Sequence, residues 1–239
     1  MPIVLPASVP VHIAIILDGN GRWAKKRYMP RFFGHKAGVD NIERIAEAAA
    51  KCGVKYLTVF AFSTENWKRP TEEISGMMSL ILVAASKYLT KVAIKGGQVR
   101  IIGDLTATSD KLRRAAAHAE QITKENRKLT ILVAFNYGGR WDMLEACRKC
   151  IREGLAPDEV TEEQIGNRLS TSFAPAPDLL IRTGGEARLS NFLLWQCADS
   201  VLYFTNCLWP DFDEEHLHRA IAHYKSQREE FDSINQPPY

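Results

Sequence analysis

Six short runs, apolar at most positions, constrain this chain more than anything else in it: residues 12–17, 56–61, 99–102, 130–135, 179–182 and 201–204. A strand with one wet face alternates apolar and polar residues, whereas a strand apolar throughout is covered on both faces, as in a parallel sheet. Between the runs the apolar spacing changes to the helical period. This predicts helices near 39–51, 72–95, 108–123, 141–153 and 214–232, with a shorter one over 161–169 that Thr161 caps. Strands that alternate with helices predict an α/β fold: a single domain over residues 1–239, with a mainly parallel six-stranded sheet flanked by helices.

Composition narrows the class. A chain of 239 residues buries an adequate core without disulfides. Its five cysteines form an odd set with no framework spacing, which points to a reducing compartment. Cys147 and Cys150 make a C-x-x-C, but inside a helical stretch and without a second pair, so they read as small half-buried apolar residues. A net charge of +3 with no basic stripe argues against nucleic acid. The start lacks a signal-peptide pattern, and the apolar stretch 74–86 is too short to span a bilayer. The expected location is the cytoplasm, or a plastid stroma if a transit peptide has been removed.

In a parallel sheet, ligands bind beyond the carboxyl ends of the strands. Four such ends carry polar clusters. These are Asp18-Gly19-Asn20-Gly21-Arg22, the stretch from Phe62 to Pro70, Asn136-Tyr137-Gly138-Gly139-Arg140, and the stretch from Arg182 to Asn191. Each holds an arginine and three hold glycine. Glycine lets backbone N–H groups approach an anion, and arginine grips phosphate through paired charged hydrogen bonds. The spacing Arg182…Arg188-x-Ser190 suggests a second phosphate cradle beside residues 19–22. Asp18 repels phosphate, so among these bases it makes most sense as a ligand for Mg²⁺ that bridges to a diphosphate. Any one of these features alone is an ordinary turn or surface arginine; their convergence on one sheet edge is the signal. P-loop, dinucleotide-binding, nucleophile-elbow and zinc-protease motifs are all missing from the sequence.

Six stretches in order, "HIAIILDGNGRWAKKR", "GHKAG", "LTVFAFSTENWKRP", "FNYGGRWD", "DLLIRTGGEARLSNFLLWQ" and "LWPDF", resemble the cis-prenyltransferase family of undecaprenyl diphosphate synthase. The resemblance extends to short-chain plant members such as lavandulyl diphosphate synthase. It implies a homodimer with a hydrophobic tunnel, which condenses isopentenyl diphosphate with an allylic diphosphate (dimethylallyl or longer) and releases diphosphate. It places the allylic diphosphate on Gly19, Asn20, Gly21, Arg22 and Trp23, with Arg31, His35 and Arg69. It places isopentenyl diphosphate on Arg182, Arg188 and Ser190, with Mg²⁺ on Asp18. Ser63, Asn66 and Trp67 fall between the substrates, and Glu73 begins the helix beside the tunnel. Asp18, Asn66 and Ser63 are thereby the catalytic candidates. Ile74, Met77, Met78, Leu80, Ile81, Leu82, Val83, Ala84, Ala85, Tyr88, Leu89 and Val92 form a broad apolar stripe on that helix, either core or tunnel wall.

Two positions depart from the family's pattern. Many bacterial members have His after the Glu of "RTGGE" and Glu before "LYF", where this chain has Ala187 and Val201. The expectation is a metal shell that leans on Asp18, diphosphate and water. Product length stays open, including an irregular coupling of two dimethylallyl diphosphates. So does a non-catalytic lipid-binding or partner subunit, although the retained loop residues favour an enzyme. Membrane contact is expected to be peripheral, and only if products are long.

Overall fold

Among the described residues every strand runs parallel to its neighbours, in one sheet ordered β3-β4-β2-β1-β5-β6. The strands are β1 (His12–Ile16), β2 (Tyr56–Ser63), β3 (Gly97–Ile102), β4 (Leu129–Tyr137), β5 (Leu179–Arg182) and β6 (Val201–Phe204). The helices are α1 (Asn20–Lys26), α2 (Arg31–Lys51), α3 (Thr71–Ile94), α4 (Asp110–Thr123), α5 (Gly139–Arg152), α6 (Glu162–Gly166) and α7 (Glu214–Ile234). The computed structural model describes residues 9–106 and 108–234, with all side chains except those of 84–91 and 232–234. Of the predicted α3 stripe, Ala84, Ala85, Tyr88 and Leu89 therefore lie outside the described side chains.

The expected six-stranded parallel sheet is present, and the run-by-run burial explains it. All five residues of β1 and all four of β5 are buried. Ile13 and Ile15 pack with Ile45, Trp209 and Leu217 on the face covered by α2 and α7, while Ala14 and Ile16 pack with Phe192 and Leu193 on the other. Deleting a buried side chain of this kind costs roughly 2–5 kcal/mol. Among the described residues, no helix is long and apolar enough to cross a membrane.

Several boundaries differ from the sequence expectation, and those next to the site do so for physical reasons. The helix expected from residue 39 starts at Arg31, because Gly34 is a packing glycine: a Cβ there would lie 2.0 Å from the Asn20 carbonyl oxygen. The supposed loop 19–22 is a one-residue turn at Gly19 followed directly by the first turn of α1. The strand ends also run further than expected, so Phe62, Ser63, Asn136 and Tyr137 belong to β2 and β4. Tyr137 is buried, and its hydroxyl donates to Asp142 at 2.9 Å, where Gln196 also donates. Burial, then the nearby Asp142 charge, drives its pKa far up. It anchors α5 and takes no part in the cleft. The cysteines are all free; Cys150 is buried, Cys147 is exposed, and burial pushes the Cys197 thiol up to about 11.

Candidate active site

The chain leaves β1 toward β2 on one side, while β5 and β6 build on the other. The crevice beyond the carboxyl ends of β1 and β5 is thus the switch point of the sheet. Asp18 and Arg182 meet there. The Asp18 carboxylate lies 3.0 Å from the Arg182 guanidinium through Oδ2 and 3.1 Å from that of Arg22 through Oδ1. Arg182 is 4% exposed, and it also donates to Ser190 Oγ at 2.7 Å and to the Arg188 carbonyl. The backbone of Asp18 is held equally firmly. Its N–H donates to Thr183 Oγ1, while its carbonyl accepts from that hydroxyl and from the Trp209 N–H. Gly184 is left-handed (φ +88°), and a Cβ on it would stand 2.6 Å from Arg22 Nη2. Only glycine closes this corner without displacing the arginine.

A second cluster forms around Glu73. Its carboxylate lies 2.6 Å from Arg69, 3.3 Å from Arg31 and 3.6 Å from His35 Nε2. Burial alone would raise Glu73, but the hydrogen bond and charge of Arg69, with Arg31 and His35, hold it below the usual carboxylate range. Burial, then the Arg69 charge, lowers His35 against the pull of Glu73, so the imidazole is neutral near pH 7.

Asn191 joins the remaining loops. Its Nδ2 donates to Glu65 at 2.8 Å, its Oδ1 accepts from the Arg140 N–H at 3.0 Å, and its carbonyl accepts from the Gly139 N–H. Ser190, Asn191 and Leu193 all hold positive φ, 50°, 63° and 42°. Such backbone costs of order 1–3 kcal/mol per residue and persists only where surrounding contacts impose it. On the facing loop, Asn66 Oδ1 accepts from the Ser63 N–H at 3.1 Å.

These groups surround a cleft of ≈ 780 Å³ walled by Asp18, Asn20, His35, Ser63, Asn66, Arg69, Arg182, Arg188 and Ser190. Three of its polar atoms, Asn20 Oδ1, His35 Nε2 and Arg182 Nε, are buried without a hydrogen-bond partner. At 3.6 Å from Glu73, His35 Nε2 is too far away for a hydrogen bond. Ser170 Oγ and Gln196 Oε1 are likewise unpaired outside the cleft, but Arg182 Nε and His35 Nε2 are nitrogens from two elements on one cleft, where a ligand's acceptor oxygens can pair with them. Val39, Ile42, Ala61 and Ile81 also wall a separate apolar chamber of ≈ 310 Å³ between the sheet and helices α2, α3 and α4. At its far end Lys95 pairs with Glu43 and Glu47.

Not every predicted residue faces the cleft. Gly19 packs on Leu208, Gly21 lies against Arg31, and Arg22, Arg31 and Glu73, which do not wall the cleft, are held in ion pairs. Trp23 donates to Asp211 at 2.6 Å under the Arg27 guanidinium, and Trp67 donates to Asn136 at 2.7 Å beside Phe62. Thr183, Arg140, Glu65 and Asn191 were not singled out from the sequence. Their residue types are common in turns, and only the fold brings them together.

Among the described residues no three His, Cys, Asp or Glu side chains form a metal-binding group. Ala187 is exposed and Val201 opens β6 as an apolar residue. One carboxylate, Asp18, on the wall of a cleft that also holds arginines fits Mg²⁺, which keeps several waters and takes one or two carboxylates plus substrate phosphates.

Comparisons with known proteins give the family and agree with the fold. The family model Prenyltransf, undecaprenyl diphosphate synthase, matches residues 16–232. An isoprenyl transferase of Neisseria gonorrhoeae is 48% identical over 224 residues, covering 94% of this chain and 90% of that one. A ditrans,polycis-undecaprenyl-diphosphate synthase of Aliivibrio fischeri, (2E,6E)-farnesyl-diphosphate specific, is 45% identical over 227 residues, covering 93% and 88%. The crystal structure of lavandulyl diphosphate synthase from Lavandula x intermedia, in complex with dimethylallyl diphosphate, superposes with a TM-score of 0.88 at 36% identity, covering 91% of this chain and 95% of that one.

Proposed function

The chain belongs to the undecaprenyl diphosphate synthase family of prenyltransferases, and from that premise we propose that its cleft seats an allylic diphosphate and isopentenyl diphosphate side by side. As a family member it is a cis-prenyltransferase; the substrates and the role of each residue are the further reading. The single observation that carries it is the pair of unpartnered nitrogens, Arg182 Nε and His35 Nε2, on residues that wall a cleft sharing walls with an apolar chamber. An anionic head accepts from Arg182 Nε and from His35 in its Nε2–H tautomer, and an apolar tail fits the chamber; Asn20 Oδ1, an acceptor, calls for a donor instead.

In this reading the first turn of α1, with Arg31, His35 and Arg69, takes the allylic diphosphate. Arg182, Arg188 and Ser190 take the diphosphate of isopentenyl diphosphate. The allylic C–O bond breaks to diphosphate, a C–C bond forms to the isopentenyl alkene, and a proton leaves beside Ser63 and Asn66 to water or the released diphosphate. Arginine charge and N–H groups offset the growing negative charge of the leaving group where it develops. Mg²⁺ held by Asp18 supplies further neutralisation of the diphosphate when bound. The apolar chamber excludes water from the cationic centre and receives the tail. Exposed Leu202 and Phe204 on the edge strand β6 support a homodimer built on that edge. The relatives named above as isoprenyl transferases are bacterial, which supports a cytoplasmic location and not a plastid one.

A second reading, coupling of two dimethylallyl diphosphates, is favoured by the likeness to the lavender enzyme and by Ala187 and Val201. One experiment separates them. Labelled isopentenyl diphosphate is offered with C5, C10 and C15 allylic primers and Mg²⁺, and a parallel reaction receives dimethylallyl diphosphate alone. Labelled cis product with diphosphate release supports the first reading; product only from dimethylallyl diphosphate alone supports the second. Failure of every reaction overturns both.

A further inference from the structure

Between Asp18 and Asp40 the chain has six basic residues and not one acid. Within that interval residues 25–33, the elbow that joins α1 to α2, are exposed without interruption. Tyr28 is 99% exposed and held at φ +58°, and Met29, Phe32 and Phe33 are 44–48% exposed. A bulky aromatic residue in the left-handed region is uncommon. Here it directs an apolar ring fully away from the protein.

The charges around these rings fall into two sets. Arg22, Arg27 and Arg31 are engaged by Asp18, Asp211 and Glu73. Lys25, Lys26 and Lys36 have no carboxylate partner among the described residues. The elbow also flanks the cleft. Helices α1 and α2 supply Asn20 and His35 to its wall, and the Phe32 ring lies 3.6 Å from where a Cβ on Gly76 of α3 would stand. Aromatic rings flanked by unpaired lysines match a lipid interface, where rings settle at the headgroup level and lysines meet anionic headgroups.

We propose that the α1–α2 elbow docks the protein on an anionic phospholipid bilayer, with Tyr28, Met29, Phe32 and Phe33 at the headgroup boundary and Lys25, Lys26 and Lys36 on the headgroups. The prenyl-diphosphate reading supplies the reason for such docking, since it sets the mouth of the cleft against the phase that takes up apolar tails. The docking itself is measured without substrate.

The full chain is sedimented with phosphatidylcholine vesicles and with vesicles that also contain phosphatidylglycerol. The wild type binds the anionic vesicles at least about tenfold more tightly than the neutral ones. Tyr28→Asn/Met29→Ser and Lys25→Glu/Lys26→Glu each weaken that binding about tenfold. Asparagine tolerates the left-handed backbone, so the first variant keeps the fold, and both retain wild-type turnover with a C5 primer in solution. Failure of the wild type to bind anionic vesicles, or wild-type binding by both variants, overturns the proposal. A shift in oligomeric state in the variants overturns it too, and assigns the patch to a second copy of the chain. Vesicle binding by a protein without turnover on any isoprenoid diphosphate leaves the docking standing and removes the function proposed above.

Discussion

Strands β1 and β5 carry a polar cluster at each end, and the two ends behave as opposites. At the amino end the His12 ring is buried, 2.7 Å from Thr58 Oγ1 on one side and 2.7 Å from the Pro175 carbonyl on the other. The His12 backbone N–H donates to Asp178, so both ring nitrogens and the N–H of His12 find partners within the protein. At the carboxyl end Asp18 and Arg182 bridge the same two strands, yet Arg182 Nε and the neighbouring Asn20 and His35 atoms stay unpaired, and the Asp18 side chain remains about one-third exposed. Burial and strand position are alike; saturation differs. A polar cluster that satisfies itself holds the fold, whereas unpaired nitrogens on the wall of an open cleft leave donors for a ligand's acceptor oxygens.

That contrast can be attacked from its strongest side first. Arg182→Ala removes the contact shared by Asp18, Ser190 and the Arg188 carbonyl, and turnover should fall about a hundredfold or more by steady-state kinetics. Asn191→Asp sets a carboxylate against Glu65 and should lower kcat/KM at least about tenfold. Adding Glu65→Gln restores a donor to that pair and should recover most of the loss, an outcome that a general folding defect would not give. Arg188→Ala, whose side chain is largely exposed beside Glu186, should raise KM for isopentenyl diphosphate roughly tenfold with little change in kcat. His12→Ala should leave kcat near wild type at pH 7 while it destabilises the fold by about 1–3 kcal/mol in denaturant melts, because Thr58 and Pro175 lose their partner. The pH dependence follows the same logic. Burial lowers His12 from 6.5 to about 4, against the pull of Pro175 and Asp178. Its unfolded form therefore binds the extra proton, and stability present above pH 6.5 is lost as pH falls toward 4. Melts of His12→Ala should show a flatter profile across that window.

How much of this was legible in the sequence depends on what each residue answers to. Strands β5 and β6 could be bounded to the residue, because local apolar runs fix them. The start of α2 could not, because Gly34 and Gly38 read as helix breakers until α1 is seen packed against them. Asp18, Arg182 and Ser190 stood out as charged or hydroxyl groups after strands. Thr183 and Asn191 did not, since their parts rest on hydrogen bonds across 165 and 126 residues of chain. Trp23 and Trp67, prominent in their motifs, donate their N–H groups to Asp211 and Asn136, partners that only the fold brings near.

The most direct test of the opposition between the two ends is Asp18→Ala, assayed at saturating Mg²⁺ for diphosphate release and, on the same sample, for thermal unfolding. The prediction is a loss of turnover by about three orders of magnitude with a Tm within a few degrees of wild type. Near-wild-type turnover, or a Tm that collapses as far as it does in His12→Ala, would contradict it.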